Sequence, residues 1–357
     1  MTGAAQLLLA SGNISNPWSR LQGLIDASIA GGVTGASVVS TYSLVYAINY
    51  AYQGGVLDPN GSIHFVPQDA IVGQKVSSAG VVSTYALVHK LSAAFQGGAL
   101  DPNGNVHFVP CQSKVGQMVS AAGVVSTYAL VYKAQVYNYN GGVLDPNGSV
   151  HFVPRDAARG QKVSSAGVVS TYNLVYTAAN SYMGGVLAPD GSIYFVPWAA
   201  TVGQKVAANG VVSTYALVYT VANAYRGGVI DSDGSVHFIP LRAKVGQKVN
   251  SAGVVSTYGL VYTVNDQNAG GVLAPDGSVH FVPLSSARGQ KLDSTGVVST
   301  YNLVYTGTAL YSGGVLNAAG EVHFVPQHGI VGQKVATNPV IPFSLATCMS
   351  PFLDKDC

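Results

Sequence analysis

The side chains best suited to chemistry in this chain are its histidines, and six of the eight occupy copies of one place. His64, His107, His151, His237, His280 and His323 each follow Val or Ile and precede Phe, and Tyr194 stands at the seventh such place. Clustered imidazoles hold metals, and one beside a nucleophile moves protons. Copies written once per repeat are held apart by the repetition, so no single site gathers several of them. They are read instead as buried structural groups, each hydrogen-bonded to a Ser, Thr or Tyr hydroxyl, a role that the apolar body and polar tip of Tyr194 also fill. Cys111, Cys348 and Cys357 have neither CxxC spacing nor a paired-His motif; Cys348 and Cys357 either close a small loop or are free thiols. The lysines of a recurrent Gly-Gln-Lys triplet (Lys75, Lys162, Lys205, Lys248, Lys291, Lys334) lie in no GxxxxGK[ST] loop, which leaves them as stems on an apolar sheet. The acids repeat in turns, and the unrepeated Cys111, Trp198, Asp266 and His328 form no recognisable constellation. No catalytic residue, metal or cofactor is expected, and the chain is not expected to be an enzyme.

What positions these residues is one unit written seven times, GGVLDPNGSIHFVPQDAIVGQKVSSAGVVSTY from Gly54 to Tyr85. Its opening pair recurs at Gly54, Gly97, Gly141, Gly184, Gly227, Gly270 and Gly313, a period of 43 or 44 residues. Four strands fit each unit: GGVL, SIHFVP, GQKV and GVVSTYALV. Asp58-Pro59-Asn60-Gly61 joins the first two and Ser77-Ser78-Ala79-Gly80 the last two, both ending on the glycine that closes a hairpin. Four antiparallel strands in a unit of this length make a propeller blade. The glycine pair belongs to the strand nearest the axis, where backbones crowd together.

The chain ends imply a closed ring. A VVSTY strand at Val38 to Tyr42 precedes any Gly-Gly strand, and the last unit stops after Val335 without one. Setting Ser37 to Tyr46 beside Gly332 to Val335 completes the seventh blade and removes two open edges. The expected fold is therefore all-β: a seven-bladed β-propeller of four-stranded antiparallel blades, closed by an N-terminal strand. Residues 1–35 form an arm with one short amphipathic helix from Ser19 to Ile29, 36–336 the propeller, and 337–357 an extended, proline-interrupted tail.

The seven copies differ mainly in two connections, one between the second and third strands and one between blades. In an up-and-down blade both emerge on the same face. That variable face collects the candidate partner-binding residues Lys114, Arg155, Arg159, Arg226, Arg242, Lys244 and Arg288, with the unrepeated Trp198; the hairpin face carries Asp58, Asp101, Asp145, Asp231 and further acids. A net charge of +2 thus hides a basic and an acidic face. Only 9% of residues are charged, against about 25% in an average domain, a balance that suits packed assemblies and extracellular particles. The start MTGAAQLLLASG is too short to span a membrane and lacks a basic leader, and no other stretch reads as a span.

The unit GGVLAPDGSVHFVP, followed by GQK and GVVSTYNLVYT, resembles highly repetitive propellers with near-identical blades found in bacteria and in virion proteins of viruses and phages. The resemblance covers the repeats only. It implies a virion or surface structural component, such as a spike, fibre, or tail or capsid decoration, whose ring is a rigid binding platform. The expected partners are neighbouring subunits of an oligomeric assembly, reached through the terminal arms, and an anionic glycan or host surface on the basic face. Nucleic acid is not expected, since the charges are scattered singly. The location implied is the virion, or alternatively secretion or the cell surface; the alternative function is a lectin-like propeller binding glycan.

Overall fold

A computed structural model of the protein describes residues 38–134 and 136–337. The expected arm, helix and tail, and the cysteines Cys348 and Cys357, lie outside the described residues. Among the described residues twenty-eight strands form seven four-stranded sheets, each running from the axis outward as inner, second, third and outer strand. In the first blade these are Tyr52–Leu57, Ile63–Pro67, Val72–Val76 and Val82–Ala86. Among the described residues there are no helices.

Closure takes the expected form. The strand Val38–Ser43 pairs antiparallel with Val331–Ala336, Val39 opposite Val335 and Tyr42 opposite Gly332, so the first described strand is the outer strand of the seventh blade. The axis is closed independently by the first glycine of each pair. It has positive φ, at a register shift in the inner strand, and an added Cβ on Gly54 would lie 2.9 Å from Gly97 Cα. The same contact passes from blade to blade until Gly313 meets Gly54 at 2.8 Å. Backbone this close excludes every side chain but hydrogen.

Two further devices repeat seven times. The glycine of each GQK triplet lies under the ring of the outer-strand tyrosine: a Cβ on Gly73 would sit 2.1 Å from Tyr85, and Gly332 stands equally close to Tyr42. The glutamine beside it is buried and ties its blade to the connector entering from the previous one. Gln74 Oε1 accepts from Val45 N at 3.0 Å and Tyr46 N at 2.7 Å, and Gln117, Gln161, Gln204, Gln247, Gln290 and Gln333 repeat the contact. One buried carbonyl thus satisfies both connector amides, while Nε2 of Gln117, Gln247 and Gln333 is buried without a partner among the described residues. Between blades the core is aromatic and β-branched; Tyr52 and Phe65, for instance, pack with Val315 and Val325 of the seventh blade.

Candidate functional site

The repeated histidines occupy the hairpin half of each blade, bonded to the outer-strand tyrosine as the sequence implies. His64 Nδ1 lies 3.0 Å from Tyr85 Oη, and His107, His151, His237, His280 and His323 meet Tyr128, Tyr172, Tyr258, Tyr301 and Tyr42 at 3.1 to 3.3 Å. Their second partner went unread. Nε2 of His64 faces Asp58 Oδ2 at 3.2 Å, and the pairs His107–Asp101, His151–Asp145 and His237–Asp231 repeat it. Oδ1 of Asp58 also accepts from Ser62 N at 2.8 Å. Burial works against these carboxylates, but the histidine and backbone amide bonds outweigh it and hold Asp58, Asp101 and Asp145 below the usual range.

The edits between copies follow that chain of contacts. In the fourth blade Ala188 replaces the aspartate and Tyr194 the histidine, and Lys205 Nζ donates to Tyr194 Oη at 3.3 Å. In the sixth blade Ala274 replaces the aspartate while His280 remains, its Nε2 buried without a partner. Desolvation, chiefly, pushes the His280 pKa down to about 4. In the seventh, Asn317 stands for the aspartate, and Glu321 lies 3.5 Å from His323 and 2.6 Å from Lys334. The signal available in the sequence was the joint change of turn aspartate and histidine in the fourth blade.

The expected acidic hairpin face holds only in part: Asp190 and Asp233 are exposed on it. Asp58, Asp101 and Asp145 are buried rather than displayed. Lysines of the third strand stand beside the histidines, as Lys75 does opposite His64. Lys162 approaches Asp145 to 4.0 Å and Lys291 approaches Asp276 to 3.9 Å. A recess of about 320 Å³ opens at this end between the third and fourth blades, but Asp145, His151 and Lys162 in its lining have counterparts in other blades.

The ring loses its sevenfold regularity at the opposite end of the axis. The residues just before the glycine pairs are Gln53, Gln96, Asn140, Met183, Arg226, Ala269 and Ser312, and all of these but Gln96 line an axial recess of about 130 Å³. Those that follow the second strands are equally unlike: Gln68, Cys111, Arg155, Trp198, Leu241, Leu284 and Gln327. Arg226 Nη2 donates to Ser312 Oγ, two blades away, at 2.9 Å. Desolvation and then the charge of Arg155 bring the Arg226 pKa down to about 10. Arg155 is held between two rings, 4.4 Å from the centroid of Tyr137 and 4.9 Å from that of Trp198, with Nε and Nη2 on Asn180 Oδ1 at 3.4 and 3.2 Å. Leu241, Ala269 and Leu284 form an apolar cluster against Trp198 and Ala309. Cys111 is buried near Arg155, and desolvation pushes its thiol up to about 12.

The basic residues of the variable face therefore divide. Arg226 lines the axial recess, and Arg155, stacked on Trp198, is close enough for its charge to act on Arg226. Arg242 is on the rim, paired bidentately with Asp266 at 2.7 and 3.1 Å. Lys114, Arg159, Lys244 and Arg288 are exposed at or just before the start of a third strand. Arg159 Nη1 donates to Asn173 at 2.5 Å and Lys114 Nζ to the Lys133 carbonyl at 2.8 Å.

No family model matches the chain, and no curated protein does. Solved structures do. A streptogramin B lyase is similar with a TM-score of 0.75 at 16% identity over 85% of this chain and 98% of its own. Virginiamycin B lyase from Staphylococcus aureus follows at 0.74 and 14%, covering 85% and 100%, as does its catalytically inactive histidine-to-alanine form with quinupristin. A hydrazine synthase from Kuenenia stuttgartiensis is similar at 0.61 and 12%, over 83% and 99%. The class of protein is thus a seven-bladed β-propeller with closely similar blades. The expectation that the chain is no enzyme is corrected: the ring architecture it shares carries lyases, and unlike groups do gather around the axis, the feature whose supposed lack underlay that expectation.

Proposed function

We propose that this protein is a binding propeller that recognises its ligand at the axial mouth of the variable face. One observation carries the reading. The histidine, glutamine and glycine devices repeat around the ring with few edits, whereas the residues just before the glycine pairs and just after the second strands change from blade to blade with few repeats. Positions that only support a symmetric frame repeat with it; a single asymmetric ligand calls for unlike groups at one place. The recess offers the Arg226 guanidinium, and Ala269 in its lining packs with Leu241, Leu284 and Trp198, on which Arg155 stacks.

The test is a ligand screen by thermal shift, including glycans, repeated on three variants. Arg226→Gln copies Gln53 and Gln96, and Trp198→Leu copies Leu241 and Leu284. Lys162→Met, at the hairpin end, copies Met118. Ligands that stabilise the wild type and the Lys162 variant but not the mouth variants support the reading; ligands lost only from the Lys162 variant refute it. Turnover is followed in the same samples by mass spectrometry, with quinupristin, the compound bound by a lyase of this architecture, among the molecules tried.

A second reading, that the ring is a platform within a virion or surface assembly, is favoured by its circumference. Two circles of valines, one per blade in each, such as Val81 and Val88, are between 58% and 63% exposed on and beside unpaired outer strands. Bare β edges with apolar side chains and little charge are templates for association. Sedimentation of the full chain tests it: a monomer at all concentrations counts against assembly through this belt.

A further inference from the structure

The two arginines at the mouth lack anionic partners. Among the described residues neither forms an ion pair: Arg226 donates to the Ser312 hydroxyl, and Arg155 to the neutral Asn180 carbonyl. The nearby acids are otherwise engaged. Asp266 takes both forks of Arg242. Asp156 accepts from Asn180 N, and Asp69 from Ala93 N, each at 2.6 Å. A guanidinium has five N–H donors, and a recessed one with a single neutral partner is suited to a carboxylate or similar oxyanion. Trp198 adds to this a buried Nε1–H without a protein partner.

The mouth is also one-sided. Leu241 and Leu284 are 5% exposed and pack with Trp198, while the arc from the seventh blade to the third carries Gln327, Gln68 and Arg155. A small inorganic anion would leave the indole and leucines unused, and a neutral apolar molecule would leave Arg226 unpaired in a desolvated place. We infer that the ligand is a small organic anion with a flat apolar body, its acid group on Arg226 and its body along Trp198 and the Leu241–Leu284 wall. This deepens the proposal of an axial binding site and rests on it.

The probe is 2-naphthoate, titrated calorimetrically into the full chain, with naphthalene-2-methanol and inorganic phosphate as its two halves. Saturable one-to-one binding of the naphthoate is expected, with both halves at least about tenfold weaker, as loss of a charge-assisted bond or of the apolar surface requires. Arg226→Gln should weaken the naphthoate by at least about tenfold while leaving the alcohol unchanged, and Leu284→Gln should weaken both. Melting temperatures near wild type establish that each variant folds, since glutamine already occupies equivalent places at Gln53 and Gln68. Naphthoate that fails to bind the wild type, or phosphate that binds as tightly, overturns the inference. Binding that survives Arg226→Gln but is lost in Trp198→Leu overturns the anion assignment and leaves the axial site standing. Binding indifferent to every mouth variant removes both.

Discussion

Rewriting the sixth blade's first turn to match the first blade should stabilise the protein, and more so in acid. The double variant Ala274→Asp, Asp276→Asn converts Ala-Pro-Asp-Gly to the Asp-Pro-Asn-Gly of Asp58 to Gly61. In the wild type His280 Nε2 is buried and unpaired. In the first blade the equivalent nitrogen meets Asp58 at 3.2 Å. Satisfying a buried donor is worth about 1–3 kcal/mol, which is the gain expected at pH 7. The pH dependence follows from the depressed pKa of about 4. Between the ordinary histidine value near 6.5 and about 4, the unfolded chain takes up a proton that the folded blade refuses, so wild-type stability falls as pH drops through this window and levels off below it. Over about 2.5 pH units at ~1.4 kcal/mol each, the loss is about 3 kcal/mol. An aspartate beside His280 raises its folded pKa and removes most of that loss. At pH 5 the variant should therefore exceed the wild type by roughly 2 kcal/mol more than at pH 7. Urea unfolding at the two pH values, with amide exchange of the Asn268–Leu273 and Val279–Pro283 strands as a local readout, measures both quantities. A variant no more stable than wild type at pH 7, or one with the same acid sensitivity, refutes the assigned role of the turn aspartate.

Gln204→Leu removes the acceptor of two connector amides, Val175 N at 2.9 Å and Tyr176 N at 2.8 Å, and should cost about 2–4 kcal/mol in chemical denaturation. Gly141→Ala places a methyl 2.8 Å from Gly184 Cα at φ +91°, and should destabilise by about 3 kcal/mol or more. Gly167→Ala, at φ +77° but with open space around it, should cost only about 1 kcal/mol, and equal melting temperatures for the two would refute the crowded axis. Deleting residues 1–43 strips the outer strand from the seventh blade and bares the Val331–Ala336 edge; loss of soluble monomer by gel filtration is expected, and an unchanged melting curve would contradict ring closure.

The ring was legible because repetition is a one-dimensional property. The glycine pairs count the blades, the Asp-Pro-Asn-Gly and Ser-Ser-Ala-Gly turns mark strand ends, and a VVSTY strand before the first unit with none after the last requires the N-terminal strand to complete the seventh sheet. The tyrosine partner of each histidine could be anticipated, since both lie within one unit or, for His323 and Tyr42, within the blade that the N-terminal strand completes. The aspartate was read as a turn former, and its carboxylate does cap the turn, as Asp58 does toward Ser62 N; that it also turns inward to His64 depends on how a hairpin folds over its own blade. GQK drew attention to its lysine, whereas its glutamine joins the blades, through an acceptor reaching amides 28 to 30 residues earlier in the chain.

The mouth is where tertiary structure alone decides. Arg155, Trp198 and Arg226 were picked out as members of a broad basic face, alongside Lys114, Arg159, Arg242, Lys244 and Arg288, with nothing in the chain to separate the first three from the rest. Spacing along the sequence tells which residues share a place in their blades, so it reveals symmetry. It does not tell which of those places meet across the axis, where Arg226 reaches Ser312 from 86 residues away. Fold follows from what the seven copies have in common, through turns and strands that each copy makes locally. The site arises from what they do not share, brought together only when the ring closes.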